Sequence, residues 1–108
     1  MSQNNIIEIN EDNFKKIISQ TPNLVLLDFW ADWCVPCKLM FPILDEICKK
    51  YPNIVIGKIN IENNHDLALQ FNIRSIPTLI FLKNEIVKEQ LIGQHSLKEI
   101  ENFISKFL

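Results

Sequence analysis

The stretch NLVLLDFWADWCVPCK, residues 23–38, decides the fold. Residues 23–30 form an apolar run broken only by Asp28, the pattern of a strand buried on both faces, as in a parallel sheet. From residue 34 the period changes: Leu39, Met40, Ile43, Leu44, Ile47 and Cys48 recur at helical spacing, and Tyr51-Pro52-Asn53 ends the run. A helix is therefore expected over 34–50, kinked by the internal Pro42, which cannot donate a backbone hydrogen bond. A second buried-strand run, NIVIGKINI (53–61), follows, so the opening stretch begins a β-α-β unit.

Outward from this unit the remaining elements read in one pass, with no repeat, low-complexity tract or linker. NIIEIN (5–10) is a short strand, and EDNFKKIIS (11–19) sets Phe14, Ile17 and Ile18 at helical spacing with Asn10 able to cap the new turn. HDLALQF (65–71) reads as a short helix, TLIFL (78–82) as a strand, and KNEIVKEQLI as a hairpin into a last strand near 86–91. SLKEIENFISKFL (96–108) opens with a Ser96-x-x-Glu99 capping box and carries Leu97, Ile100, Phe103, Ile104 and Phe107 on one face. The order β-α-β-α-β-α-β-β-α implies an α/β fold: a mixed central sheet of about five strands flanked by four helices.

The chain has 108 residues, enough for one domain, 1–108, and too few for two ordinary ones. A net charge of −2 with scattered Lys and Arg supplies no basic field for nucleic acid. No apolar run is long enough to span a membrane, and the polar, acidic MSQNNIIEINEDN does not read as a signal peptide. A cytoplasmic protein is expected. Three cysteines, an odd number, suit a reactive or metal-bound pair in a reducing compartment better than a structural disulfide framework.

Cys34 and Cys37 lie at the junction of strand and helix. In the first helical turn, unpaired backbone N–H groups and the positive end of the helix dipole favour an anion, and a thiolate is one. The thiolate is the form that attacks a disulfide, so this position makes Cys34 the nucleophile and Cys37, one turn on, the resolving thiol. Pro36, with fixed φ and no N–H, suits an early helical position. A zinc site would need a second ligand group, yet Cys48, His65 and His95 are scattered singly, so no metal is expected. Two inert packed cysteines are the remaining alternative, weakened by the helix-start position. Cys48 fits the apolar face of its helix as a buried structural cysteine, and Trp30 reads as strand packing.

DFWADWCVPCK, P-I-L at 42–44, K-I-N-I at 58–61, R-S-I-P-T-L at 74–79 and Gly93 in L-I-G together resemble the thioredoxin family, in order and with spacing retained from about residue 6 onward. The resemblance implies a thioredoxin fold and a protein disulfide reductase. A Cys34–Cys37 dithiol–disulfide couple would reduce disulfides in client proteins, with no bound cofactor because the electrons reside in the two sulfurs. It implies a monomer recycled by a thioredoxin-reductase-type flavoenzyme, carrying electrons in cell redox homeostasis. Asp28, which burial should drive toward proton exchange near neutral pH, would then assist deprotonation of Cys37; Lys58, the only charge inside the 54–61 run, could be its partner on the adjacent strand, and a buried ion pair is the compatible structural alternative. Ile76-Pro77 would carry a cis proline, and Trp33, Val35, Pro36, Ile76, Pro77 and Gly93 would form the docking surface for an extended client segment.

The chain departs from the family's usual W-C-G-P-C at Val35, whose β-branched side chain should stiffen the turn and enlarge the apolar surface beside Cys34. With Pro36 retained and no histidine between the cysteines, a reductant is expected. A thioredoxin-fold interaction or chaperone module, and an oxidase- or isomerase-type member, are the alternatives. Ser75 and Glu85 also stand where the family often has glycine, and Asn84 is expected to supply positive φ in the hairpin.

Overall fold

The computed structural model describes residues 6–108; Asn5 of the expected first strand, like the rest of residues 1–5, lies outside them. Five strands, β1 (Ile6–Glu8), β2 (Val25–Trp30), β3 (Val55–Asn60), β4 (Thr78–Lys83) and β5 (Ile86–Ile92), form one sheet in the order β1-β3-β2-β4-β5. The first three in that order are parallel. β4 runs antiparallel to β2, and β5 antiparallel to β4. The helical elements are α1 (Phe14–Ser19), α2 (Val35–Leu39), α3 (Phe41–Lys50), α4 (His65–Gln70) and α5 (Leu97–Phe107).

β2 is central because it can bury both faces. Leu24 and Leu26 face one core with Ile56, Phe81 and the inner sides of α3 and α5; Val25, Leu27 and Phe29 face the other with Ile9, Ile18, Ile59 and Leu67. The period-2 alternation of a strand assigns successive residues to opposite layers, so a continuous apolar run is what a two-sided sheet requires. Gly57 on β3 allows close packing: a side chain there would collide with that of Ile9.

Three local readings differ from the structure. α1 begins at Phe14 rather than at residue 11, because Asn10 Oδ1 accepts from the backbone N–H groups of Asp12 and Asn13 and holds residues 11–13 in a turn. The helix expected over 34–50 breaks at Met40 into α2 and α3, two residues before Pro42, whose ring and missing N–H prevent the ladder from running through. In the β4–β5 hairpin both loop residues, Asn84 (φ 53°) and Glu85 (φ 66°), adopt positive φ, not Asn84 alone. Glu85 has a Cβ and bears a steric cost of roughly 1–2 kcal/mol there.

α5 closes the domain as its pattern indicates. Ser96 Oγ accepts from Glu99 N–H at 3.1 Å and Glu99 Oε1 accepts from Ser96 N–H at 2.9 Å. Replacing Ser96 with alanine should cost about 1 kcal/mol of unfolding free energy in a denaturant titration, and a loss below about 0.3 kcal/mol would show the box to be dispensable.

Candidate active site

β2 ends at Trp30, and the chain turns through Ala31, Asp32 and Trp33 before α2 begins. Cys34 is the N-cap of α2, in extended conformation (φ −93°, ψ 100°), with Val35 and Pro36 as the first two helical residues. Pro36 suits this position because the N–H it lacks would have no helical acceptor. Cys34 and Cys37 are joined as a disulfide, with Cα atoms 5.3 Å apart. Cys37 N–H also donates to Cys34 Sγ at 3.2 Å. When the bond is reduced, that donor and the other free N–H groups of the helix start face whatever charge forms on Cys34 sulfur.

The two sulfurs are not equivalent. Cys37 is fully buried, whereas Cys34 keeps 4% of its surface and borders the exposed Trp33 and Val35. An incoming sulfur therefore meets Cys34. Ala31 and the two cysteines form a small apolar cluster closed by Trp30, Ile61 and Ile76.

Around the disulfide the structure brings together most of the expected docking residues. Trp33 and Val35 are 64% and 65% exposed, and Pro36 is exposed beside them. The Trp33 indole N–H donates to Glu62 Oε2 at 3.1 Å, which holds the ring over a groove lined by Ile61, Ala68, Ile73 and Ile76. The Ile76–Pro77 bond is cis, and Pro77 carbonyl accepts from Gly93 N–H at 2.8 Å, tying the loop before β4 to the end of β5. Gly93 has φ +90°, a conformation that a side chain would strain, although a Cβ there would meet no atom within 4 Å. Ile92, 61% exposed beside Gly93, and Ile61 and Glu62 were not singled out by sequence. No local pattern marks them, since each becomes part of the site only through chain reversals.

On β2, two residues before the strand ends at Trp30, Asp28 is fully buried, and neither carboxylate oxygen has a hydrogen-bond partner among the described residues. Burial pushes its carboxyl up from 3.8 to about 7, against an opposing pull from the positive charge of Lys58. Lys58 is its register partner on β3, as expected. The two side chains form no salt bridge. The Lys58 ammonium instead lies 3.4 Å from the ring centre of Phe41 and 5.3 Å from that of Trp30. Trp30 thus does more than pack, and Phe41, absent from the sequence reading of this helix's apolar face, belongs to the site.

Cys48 is buried on α3 away from the disulfide, as its helical position indicated. His95 contacts Glu99 and Ile92 carbonyl, and His65 opens α4. Among the described residues no group of three or more His, Cys, Asp or Glu could hold a metal ion, and no helix is long and apolar enough to cross a membrane.

Comparison with known proteins agrees with this geometry. The thioredoxin family model matches residues 5–106. Thioredoxin of Buchnera aphidicola subsp. Acyrthosiphon pisum is 42% identical over 104 residues, which cover 95% of this chain and 96% of that protein. Thioredoxin of Haemophilus influenzae is 36% identical, with 95% and 97% covered. The crystal structure of reduced Schistosoma mansoni thioredoxin pre-protein superimposes with a TM-score of 0.85 at 30% identity, covering 95% of this chain and 98% of that one.

Proposed function

This chain belongs to the thioredoxin family and is a thiol–disulfide oxidoreductase that reduces protein disulfides, and we propose that Cys34 and Cys37 carry the reaction in fixed order. The observation behind the order is the burial difference between the two residues: Cys34 keeps a small exposed area flanked by the exposed Trp33 and Val35, and Cys37 keeps none.

In the reduced protein, Cys34 thiolate attacks one sulfur of a client disulfide. The client S–S bond breaks, a mixed disulfide forms on Cys34, and the client's other sulfur leaves as a thiolate that takes a proton from solvent. Cys37 then loses its proton to the Asp28 carboxylate and attacks Cys34 Sγ. The second client thiol departs, and the Cys34–Cys37 disulfide remains. Two electrons have passed to the client. A carboxyl that titrates near 7 suits this step, since it can accept a proton at neutral pH and release it afterwards. Regeneration needs two electrons and two protons, for which a thioredoxin-reductase-type flavoenzyme is the proposed donor. No further cofactor enters the scheme.

Trp33, Val35, Pro36, Ile76, Pro77 and Gly93 are the proposed contact surface for clients. Extended client backbone would lie along the residue 76 edge and apolar client side chains would rest on Trp33 and Val35. A single domain, 1–108, acting as a cytoplasmic monomer in electron transport completes the reading.

The experiment is a trap. Cys37→Ser should capture clients as mixed disulfides on Cys34 that survive denaturing electrophoresis without reductant and vanish with it. Failure to form any adduct with a disulfide-containing protein such as insulin would sink the assigned order.

A further inference from the structure

Lys58 stands between two carboxylates and pairs with neither. On three adjacent strands Glu8 (β1), Lys58 (β3) and Asp28 (β2) are register partners, which sets their side chains on one face of the sheet. Glu8 is exposed and Asp28 is buried, yet the ammonium forms a salt bridge with neither. It rests on the face of Phe41, at the first position of α3, and close to Trp30. The two rings meet edge to face, with centroids 5.4 Å apart and planes at 82°. Phe41 is therefore held by Trp30 and by the core cluster it packs against, and it is not free to follow the lysine. The break at Met40 supplies the placement, because it starts α3 at Phe41.

We propose that Phe41 is a positioning residue: its ring captures the Lys58 ammonium and withholds it from Asp28, so that the buried carboxyl keeps the proton affinity that the resolving step uses. An ammonium drawn into contact with Asp28 would stabilise the ionised carboxylate and turn a proton acceptor into half of a salt bridge. The aromatic face offers the cation an alternative partner without adding a charge to the site. Other charges near these elements do not compete. Lys38 on α2 and Asp45, Glu46, Lys49 and Lys50 on α3 are exposed, β4 places Leu79 opposite Asp28, and among the described residues Lys58 is the one charge that acts on Asp28.

The inference rests on the reading of Asp28 as the proton acceptor for Cys37, but its test does not depend on turnover. The Asp28 carboxyl is titrated by carbon-13 NMR in the oxidised full-length protein and in Phe41→Leu, Phe41→Tyr, Lys58→Met and the Phe41→Leu/Lys58→Met double variant. Phe41→Leu keeps most of the apolar volume and removes the aromatic face. Its Asp28 midpoint should fall by roughly one pH unit, the change expected if the ammonium draws in by about 2 Å at an effective dielectric constant of about 20. Phe41→Tyr, which keeps the ring, should titrate like the parent. Lys58→Met should raise the midpoint, and adding Phe41→Leu to it should change nothing further. An unchanged or raised midpoint in Phe41→Leu would overturn the proposal. So would a fall that persists without Lys58, because that would assign the effect to altered burial. Failure of the Cys37→Ser trap would instead count against the thiol chemistry and leave this titration result standing.

Discussion

Cys34→Ser is expected to abolish insulin-disulfide reduction, with a loss on the order of a thousandfold or more relative to the parent. The attack on the client sulfur needs a thiolate, and a serine hydroxyl does not ionise at neutral pH. No other cysteine can take its place: Cys37 is fully buried and Cys48 is buried on α3. The substitution is also gentle on the fold. Cys34 is the N-cap of α2 and accepts from Cys37 N–H, and serine is a preferred residue for that role. A loss of activity would therefore report lost chemistry rather than a lost helix. Activity within tenfold of the parent would remove Cys34 from the mechanism. The contrast with Cys37→Ser is diagnostic, since that variant should complete the first exchange and then stop.

The second large effect concerns stability. The Asp28 carboxyl titrates near 7 in the folded protein against 3.8 for an ordinary aspartate. Between those two values the folded chain holds a proton that the unfolded chain has released, so folding stability falls as pH rises through this window. The contribution is fully present below about pH 3.8 and lost above about pH 7. A shift of this size corresponds to roughly 4 kcal/mol. Asp28→Asn has no carboxylate to desolvate, so it should match the parent near pH 3.5 and exceed its unfolding free energy by up to roughly 4 kcal/mol at pH 8. Denaturant titrations of both proteins across this range measure the difference directly, and other carboxylates cancel in the subtraction. A difference independent of pH would show that Asp28 is not the titrating group. The same substitution should slow the resolving step at neutral pH and remove an inflection near pH 7 from the rate profile, because Cys37 would lose its proton acceptor. Greater stability and slower turnover in one variant would identify Asp28 as a residue whose burial serves the reaction at the expense of the fold.

Much of this site is legible in the sequence. Cys34, Cys37 and Pro36 form a contiguous motif at a strand-to-helix junction, and the helix start that favours a sulfur anion is a local property. Asp28 was conspicuous as the one carboxylate in an apolar run. The docking loop was less so. A cis bond before Pro77 belongs to a minority of X-Pro bonds, and only the family resemblance pointed to it. Trp33 was visible, but its hydrogen bond to Glu62, 29 residues on, was not. The place of Lys58 beside Asp28 is legible as the only charge inside the 54–61 run, but its contact with Phe41 is not, because a register pairing does not say where a long, flexible side chain ends.

Sequence alone determined the elements and their two-layer burial, the reactive pair, the capping box of α5 and the presence of a buried acid. These depend on residue type and on periods of two or 3.6, both read over a few neighbouring positions. Tertiary structure alone decided the strand order β1-β3-β2-β4-β5 and the capture of the Lys58 ammonium by Phe41. Each of these is a choice among several partners of comparable local merit. It is settled by which surfaces the whole chain can bury together, and that is a sum over contacts distant in sequence.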